Sequence, residues 1–153
     1  MKSDGALGLG DEAMKQLEGI LETSLYCSDL EAAEAFYSKV LRLDRIGGQH
    51  ERHVFFRCGQ GVLLLFNPEK TSVEASYVDG TMIPQHGTRG EGHLAFKISM
   101  SEIPPWREHL QRHGVAIEAE IHWPEGGQSI YFRDPAGNSL ELATLAVWGL
   151  EET

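Results

Sequence analysis

Three side chains of the kinds that bind divalent metal ions lie in short strand-like runs of the sequence: Glu22, His93 and Glu141. Carboxylates and a neutral imidazole are common metal ligands, and an ion held by three of them keeps positions open for a substrate. In each run the candidate ligand alternates with apolar residues, so it lies on the opposite face of the strand from them. Because the apolar faces must pack against helices, we expect the three candidates to lie together on the faces turned away from the helices.

The runs that carry these residues belong to an internal repeat. Three residues recur at a constant offset of 71: Glu22, Ser28 and Glu31 are matched by His93, Ser99 and Glu102. Further along, the run 54–66 matches the run 130–142 at an offset of 76. In both copies Ser-x-x-Glu follows the first run, and this capping-box pattern starts a helix. Each copy is therefore predicted to form a strand, a helix and two or three more strands.

Helical spacing and turn residues place the boundaries of these elements. The first helix is predicted to start at Ser28, and the second to start near Ser101 and end at Gly114. The polar, glycine-containing segment between the copies is predicted to be a surface loop that could serve as a lid. The predicted parts of the chain are a flexible N-terminal segment (1–19), a first module (20–70), a linker or lid loop (71–92), a second module (93–146) and a C-terminal tail (147–153).

The composition fits one globular domain and disfavours several classes of function. The chain has 153 residues, and 13 Lys and Arg against 23 Asp and Glu give a net charge of −10, which opposes binding to nucleic acid or an anionic membrane. No apolar run approaches the roughly 20 residues that span a bilayer, and the N-terminus lacks the apolar core of a secretion signal. We therefore expect a cytoplasmic protein that binds a small-molecule substrate. Cys27 and Cys58 lack the spacing of a zinc or redox site and are expected to be free thiols.

Several segments together resemble one known family. They are the run 21–30, the Gly-His-Leu-Ala-Phe run at 92–96, and the Asp-Pro-x-Gly-Asn-x-x-Glu element at 134–141. The sequence is similar to the vicinal oxygen chelate superfamily, which includes the glyoxalase, fosfomycin-resistance, bleomycin-resistance and extradiol dioxygenase proteins. The resemblance extends from Ile20 to Ala146. It implies an α+β fold in which two βαβββ modules form a curved mixed sheet around a central cavity.

The resemblance also implies a divalent metal ion held by Glu22, His93 and Glu141. Glu22 occupies the position where the family usually has a neutral ligand. Leu65, the mate of Glu141 at the offset of 76, is apolar where some members have a fourth ligand. The ion could be Mn, Zn, Ni, Fe or Mg, and two carboxylates with one imidazole favour the harder Mn²⁺ or Mg²⁺.

The function implied is that of a glyoxalase-like, metal-dependent enzyme. It would act on a small oxygenated substrate by redox-neutral Lewis-acid chemistry of the lyase, isomerase or addition type. Glu22 and Glu141 are the candidate catalytic residues, because either could act as a general base. One alternative is a metal-free protein that binds a drug or metabolite, as in the bleomycin-resistance branch. Another is an extradiol-type dioxygenase, which the unusual ligand set disfavours.

Strand alternation and the resemblance also give candidate substrate contacts. The candidates are Tyr26, His53, Arg57, Lys97, Trp123 and Tyr131. Phe55, Leu63, Leu65, Ser129 and Arg133 are expected to face the same cavity. Arg57 and Arg133 could instead make structural ion pairs. His109 and His113 lie one helical turn apart and are expected to form an exposed face. Because family members either pair their modules within a chain or exchange them between chains, a homodimer is expected.

Overall fold

The computed structural model describes residues 14–152. They form two similar four-stranded sheets, and in each module a helix follows the first strand. No helix in this part of the chain is long and apolar enough to cross a membrane. The elements in chain order are β1 (Glu22–Tyr26), α1 (Leu30–Lys39), β2 (Asp44–Gln49), β3 (His53–Cys58), β4 (Gly61–Phe66), α2 (Pro68–Thr71), β5 (Ser76–Val78), β6 (Thr81–Ile83), β7 (His93–Lys97), α3 (Ile103–Arg112), β8 (Ala119–His122), β9 (Gln128–Arg133) and β10 (Ser139–Ala143).

Both large sheets have four strands in the same order. The first sheet runs β1-β4-β3-β2 and the second runs β7-β10-β9-β8. In each sheet the outer first strand pairs in parallel with the last strand, and the other pairs are antiparallel. Within residues 14–152, no strand of one large sheet pairs with a strand of the other. The predicted α+β class, with two βαβββ modules, is confirmed.

The helix starts differ slightly from the predicted ones. Asp29, and not Ser28, caps α1, because its carboxylate accepts a hydrogen bond from Ala32 N at 3.0 Å. Ser99 and Glu102 do form the capping box, but this box precedes a short 3₁₀ turn, and α3 follows it from Ile103. These differences move the ends of the helices by a few residues and leave the order of the elements unchanged.

The linker between the modules contains a small hairpin, although its sequence predicts a loop. Strands β5 and β6 pair around Asp79 and Gly80, whose φ angles are 48° and 78°. Positive φ at both central residues is the geometry of the two-residue turn that Asp-Gly favours in hairpins. The Asp-Gly signal in the linker therefore produces two short strands.

The two sheets share one hydrophobic core through the faces that meet the helices. The core includes Leu25 and Phe56 of the first sheet together with Phe132 and Leu142 of the second. Helix α1 contributes the fully buried Tyr37. Because both apolar faces are used in this shared core, the other face of each sheet lies on the outside of the chain. We call these the first open face and the second open face.

The register of the first sheet corrects the assignment of the residue that matches Glu141. Glu22 and Ser24 of β1 pair with Val62 and Leu64 of β4, so Leu64 shares the first open face with Glu22. Leu64, and not Leu65, is therefore the structural counterpart of Glu141. Five residues separate the paired Arg133 and Ser139 in the β9–β10 hairpin, whereas four separate the paired Arg57 and Val62 in the β3–β4 hairpin. This one extra residue shifts the match by one position.

The same one-residue shift explains why two residues that were predicted to face the cavity lie in the core instead. Leu63 and Leu65 are 2% and 0% exposed and lie on the face that meets the helices. The expectation that they face the cavity is therefore wrong. Moving a strand register by one residue transfers every side chain to the other face, so one extra residue in a turn has this large effect.

A buried polar cluster around Asp134 joins the two modules. Its Oδ2 accepts hydrogen bonds from the Tyr37 hydroxyl at 2.8 Å and from Asn138 Nδ2 at 2.9 Å. The Cys27 thiol lies 3.9 Å from the same oxygen, and burial, then the charge of Asp134, raises the pKa of Cys27 to about 12. Cys27 and Cys58 are both free thiols, as expected. Because Cys27 and Tyr37 come from the first module, Asp134 fixes the turn before β10 against that module.

Candidate metal centre

Parallel pairing of β7 with β10 brings two of the candidate ligands together on the second open face. His93 Nε2 lies 3.3 Å from Glu141 Oε2. The other ring nitrogen of His93, Nδ1, lies 3.0 Å from the carbonyl oxygen of Ser139. Because a carbonyl only accepts, Nδ1 carries the proton in the neutral ring, and Nε2 keeps its lone pair. Nε2 is therefore available to bind a metal ion.

The second carboxylate oxygen of Glu141 is held from behind by two further residues. Ser129 Oγ donates a hydrogen bond to Glu141 Oε1 at 2.5 Å, and Trp123 Nε1 donates to Ser129 Oγ at 2.9 Å. Ser129 is fully buried, and the side chain of Glu141 is 8% exposed, whereas that of His93 is 53% exposed. The carboxylate of Glu141 is therefore buried and held by hydrogen bonds, whereas the ring of His93 is open to the exterior.

Two of the predicted substrate contacts flank this pair. The ring of Tyr131 stacks on that of His93 with centroids 6.2 Å apart and planes 16° apart. Burial raises the pKa of Tyr131, and the neighbouring charge of Glu141 raises it further, so the phenol stays protonated near neutral pH. Lys97 is exposed and lies on the same face, because it pairs with Ala143 two residues after Glu141.

Glu22 lies on the first open face and does not join the other two candidates. Among residues 14–152 there is no group of three His, Cys, Asp or Glu side chains placed to hold a metal ion. The expectation that Glu22, His93 and Glu141 lie together is therefore not met within one chain. The reason is the shared core, which uses the inner faces of both sheets and leaves the two open faces on the outside.

The first open face around Glu22 is mainly aromatic. Phe66 lies at its centre, with ring-centroid distances of 6.2 Å to Tyr26, 5.8 Å to Phe55, 6.0 Å to His53 and 4.6 Å to His86. His86 comes from the linker and also lies 2.7 Å from the Tyr26 hydroxyl. We call these five side chains the aromatic patch. The alternation placed three of them on this face, but no signal in the sequence indicated that the linker would add His86.

The two arginines that the sequence placed near the site have different surroundings. Arg133 is held by Glu118 at 2.7 Å and Glu91 at 3.1 Å, and it donates to the Gly137 carbonyl at 3.0 Å. These contacts fit the structural alternative for this residue. Arg57 is exposed on the first open face, because it pairs with Val62, which in turn pairs with Glu22.

The histidine pair on α3 is used in packing. His109 Nε2 lies 2.7 Å from the carbonyl oxygen of Val40, which ends α1, and His113 Nδ1 lies 2.9 Å from the carbonyl of His109. His109 is half-buried, so the expectation of a fully exposed pair is wrong for this residue. The contact ties the two helices together.

A separate cleft of about 830 Å³ lies between α1 and the β2–β3 hairpin. Asp29, Glu31, Glu51 and Glu69 line it, but neither His93 nor Glu141 does. We place the chemistry at the His93–Glu141 pair and not in this cleft, because the pair has two converging ligand atoms, whereas the acidic residues of the cleft share its lining with the basic side chains of Arg45 and Lys70.

The geometry of the pair fits a divalent metal ion. Two ligand atoms that each lie about 2.1 Å from an ion are separated by about 3.0 to 3.4 Å for angles between octahedral and tetrahedral values. The 3.3 Å between His93 Nε2 and Glu141 Oε2 lies within that range. The hydrogen bonds to Nδ1 and Oε1 are of the kind that orient metal ligands from behind.

Comparisons with known proteins agree with this fold. The family model described as the Glyoxalase/Bleomycin resistance protein/Dioxygenase superfamily matches residues 19–142. The chain belongs to this superfamily.

Particular relatives are enzymes by name. The chain is 30% identical over 131 residues to the metallothiol transferase FosB of Bacillus licheniformis, covering 85% of this chain and 77% of that protein. The crystal structure of lactoylglutathione lyase from Agrobacterium tumefaciens is 39% identical with a TM-score of 0.82, covering 89% of this chain and all of that one. The fosfomycin resistance protein FosX from Mesorhizobium loti is 22% identical with a TM-score of 0.58, over 84% and 93% of the two chains, and shows the fold alone.

Proposed function

We propose that this protein is a cytoplasmic, metal-dependent enzyme that acts on a small oxygenated substrate by redox-neutral chemistry. The observation that carries the proposal is the His93–Glu141 pair, whose free atoms lie 3.3 Å apart while their other polar atoms are hydrogen-bonded. The relatives named as a lyase and as a transferase support a lyase, isomerase or addition reaction.

We infer that a second copy of the chain completes the site with the partner subunit's Glu22. Strand β1 forms one edge of the first sheet, and β7 forms one edge of the second. Glu22 and His93 are the first residues of these two edge strands. Unpaired strand edges favour association with another chain. An arrangement in which β1 of one copy approaches β7 of the other brings the two open faces together at the three ligands.

The residues of the chain divide the chemistry between them. When bound, a divalent ion supplies Lewis acidity to two neighbouring oxygens of the substrate. His93 and Glu141 hold the ion. Because both oxygens of Glu141 are engaged in that arrangement, the partner subunit's Glu22 is the better candidate for the general base, a role that it takes when its carboxylate leaves the ion. Tyr131 and Lys97 lie beside the pair and can donate hydrogen bonds to the substrate oxygens.

Metal content tests the proposal. Protein purified without chelators should contain a divalent metal, or should gain thermal stability when Mn²⁺, Zn²⁺, Ni²⁺ or Fe²⁺ is added. No metal by elemental analysis together with no thermal shift would contradict the function. Absence of oxygen uptake with a catechol and Fe²⁺ would remove the dioxygenase alternative.

A mixing experiment tests the shared site. Neither the Glu22→Ala nor the His93→Ala homodimer should bind Mn²⁺ tightly, because each lacks one ligand side chain. A mixed dimer made by unfolding and refolding the two variants together should contain one intact site, because one subunit keeps His93 and the other keeps Glu22. One tight Mn²⁺ per mixed dimer supports a site between subunits, and none contradicts it.

The aromatic patch favours a second candidate function, the metal-free binding of a drug or metabolite. Flat aromatic ligands stack on such rings, and the nearby Glu22 would attract a cationic one. This function predicts stoichiometric binding of cationic aromatic compounds with no metal and no turnover. Binding that depends on added metal would instead favour the enzyme.

A further inference from the structure

We propose that Ser129 and Trp123 are positioning residues that present a single oxygen of Glu141 to the metal ion. The proposal rests on the proposed function and deepens it, because it concerns how the same site is held. Neither residue contacts the free oxygen of the carboxylate. Their effect is exerted through the hydrogen bonds Trp123 to Ser129 and Ser129 to Glu141.

The direction of these hydrogen bonds follows from the chemistry of the three groups. An indole N–H can only donate, so Trp123 must donate to Ser129 Oγ across the 2.9 Å that separates them. A serine hydroxyl has one hydrogen, and its other neighbour is Glu141 Oε1 at 2.5 Å. The Ser129 hydrogen is therefore directed at Glu141. A carboxylate that accepts such a bond on one oxygen is held with the other oxygen turned away from the serine.

The strand pairing of β9 with β10 and the turn before β9 position the three residues of this hydrogen-bonded chain. Tyr131 of β9 pairs with Glu141 of β10, and Ser129 pairs with Ala143, so Ser129 and Glu141 share the second open face. Trp123 lies in the turn before β9, which is closed by a hydrogen bond from Trp123 N to the Gly127 carbonyl at 3.1 Å.

Gly127 allows this turn to pack closely. Its φ is 86°, and a Cβ at this position would lie 2.5 Å from the backbone nitrogen of Val147. Only glycine fits both restrictions. The turn that carries the indole is therefore fixed against the segment after β10, and the indole nitrogen faces the buried hydroxyl of Ser129.

The consequence is that one oxygen of the Glu141 carboxylate is used in a hydrogen bond and the other is left for the metal ion. Oε1 is occupied by the serine, and Oε2 is the atom that lies 3.3 Å from His93 Nε2. A carboxylate that binds an ion through one oxygen takes one coordination position, whereas bidentate binding takes two. Ser129 therefore preserves a position for a substrate oxygen. The indole nitrogen of Trp123, predicted to contact substrate, is already used in this chain of bonds.

Metal binding by matched variants of the full chain tests the proposal. We would measure the dissociation constant for Mn²⁺ by titration calorimetry in wild type, Ser129→Ala, Ser129→Thr and Trp123→Phe. Loss of an orienting partner behind a ligand weakens metal binding by about 10- to 100-fold. Ser129→Ala should show that loss, and Ser129→Thr, which keeps a hydroxyl, should bind Mn²⁺ within about threefold of wild type by the same reasoning. Trp123→Phe should lie between wild type and Ser129→Ala.

Two exposed positions provide matched controls. Ser101→Ala and Trp148→Phe remove the same groups from exposed side chains that make no hydrogen bond to Glu141, Ser129 or Trp123, and they should leave Mn²⁺ binding unchanged. The absorption spectrum of the Co²⁺-loaded protein should change in Ser129→Ala and not in the controls, because the spectrum reports the geometry of the ligands. Circular dichroism identifies any variant that has not folded. If Ser129→Ala does not fold, the Mn²⁺ dissociation constant of Ser129→Thr, compared with that of wild type, tests whether a hydroxyl at this position is sufficient.

The possible outcomes separate this proposal from the proposed function. If wild type binds Mn²⁺ and Ser129→Ala binds it equally well with an unchanged Co²⁺ spectrum, the positioning role is wrong and the metal function stands. Equal weakening in Ser129→Ala and Ser129→Thr also overturns the positioning role, since the hydroxyl would not be what matters. If wild type binds neither ion, the proposed function and this inference are both wrong.

Discussion

The two open faces are built from the same strand order, yet only one of them carries a pair of candidate metal ligands. The matched positions, with the first-module residue given first, are Glu22 and His93, His53 and Ser129, Phe55 and Tyr131, and Leu64 and Glu141. The second face has hydrogen-bonding groups at all four positions. The first face has one carboxylate in largely apolar and aromatic surroundings.

This difference suggests a division of tasks between two copies of one module. A pair of ligands needs orienting hydrogen bonds, and the second face supplies them through Ser129 and the carbonyl of Ser139. The first face has no equivalent support for two ligands, since Leu64 replaces the carboxylate. The first face can contribute one ligand, Glu22, and the aromatic patch as an apolar side of the site. The proposed site therefore combines one face of each kind, taken from two copies, because the shared core keeps the two faces of a single chain apart.

The largest expected effect concerns the cluster that holds the two modules together. Asp134→Ala removes the acceptor for the Tyr37 hydroxyl and for the Asn138 amide, both buried. Each orphaned donor costs about 1–3 kcal/mol, so the free energy of unfolding should fall by roughly 4 kcal/mol in urea titrations. Asp44→Ala, on the exposed strand β2, is the control and should change stability little. A loss under about 1 kcal/mol would show that the modules are joined by apolar packing alone.

Removal of a ligand from the second face should have the next largest effect. His93→Ala deletes one of the two paired ligand atoms, so Mn²⁺ affinity should fall by at least about 100-fold, beyond the range seen for orienting partners. Calorimetric titration measures it, and His113→Ala, at the exposed histidine that follows α3, is the matched control. If His93→Ala bound Mn²⁺ as wild type does, His93 would not be a metal ligand, and the second face would not differ from the first in binding metal.

The sequence predicted the modules well because the signals were local or repeated. Strand alternation, the helix patterns and the constant offsets placed Glu22, His93 and Glu141 on the correct strands and on open faces. The parallel pairing that brings His93 to Glu141 also follows from the order of a βαβββ module. These features depend on residues close to one another along the chain or on two copies that can be compared.

The parts that the sequence did not predict depend on long-range packing. Leu65 was matched to Glu141 because the offset in the last strand was taken from the residues before the turn, and one extra residue in the Asp134–Asn138 turn changed it to Leu64. The separation of Glu22 from the pair follows from a core shared between modules, which alternation within one strand does not contain. The contact of His86 with Tyr26 spans 60 residues and has no local signal.

A reciprocal exchange of one hydroxyl sharpens the comparison between the faces. Tyr131→Phe removes the phenol hydroxyl at the position that pairs with Glu141 and stacks on His93, and we expect Mn²⁺ affinity to fall by about tenfold, the lower end for an orienting partner. Phe55→Tyr adds a hydroxyl at the matched position of the first face. It should leave the affinity unchanged, because Leu64 offers no carboxylate there. Equal effects from the two variants would mean that the faces are not functionally distinct.

The smallest effect is a pH dependence of stability at one pair of matched positions, His53 on the first face and Ser129 on the second. Burial in the aromatic patch, and then the charge of Arg52, lowers the pKa of His53, whereas the matched Ser129 does not titrate. The folded chain therefore binds this proton less readily than the unfolded chain. The neutral ring costs nothing above the unfolded pKa of about 6.5, and stability is lost as the pH falls below it towards the folded pKa. Urea titrations at two pH values, one above and one below that pKa, should show a smaller loss in His53→Phe than in wild type. His50→Phe, on the exposed turn beside it, should behave as wild type, and an unchanged loss in His53→Phe would mean that the patch leaves this ring solvated in the folded chain.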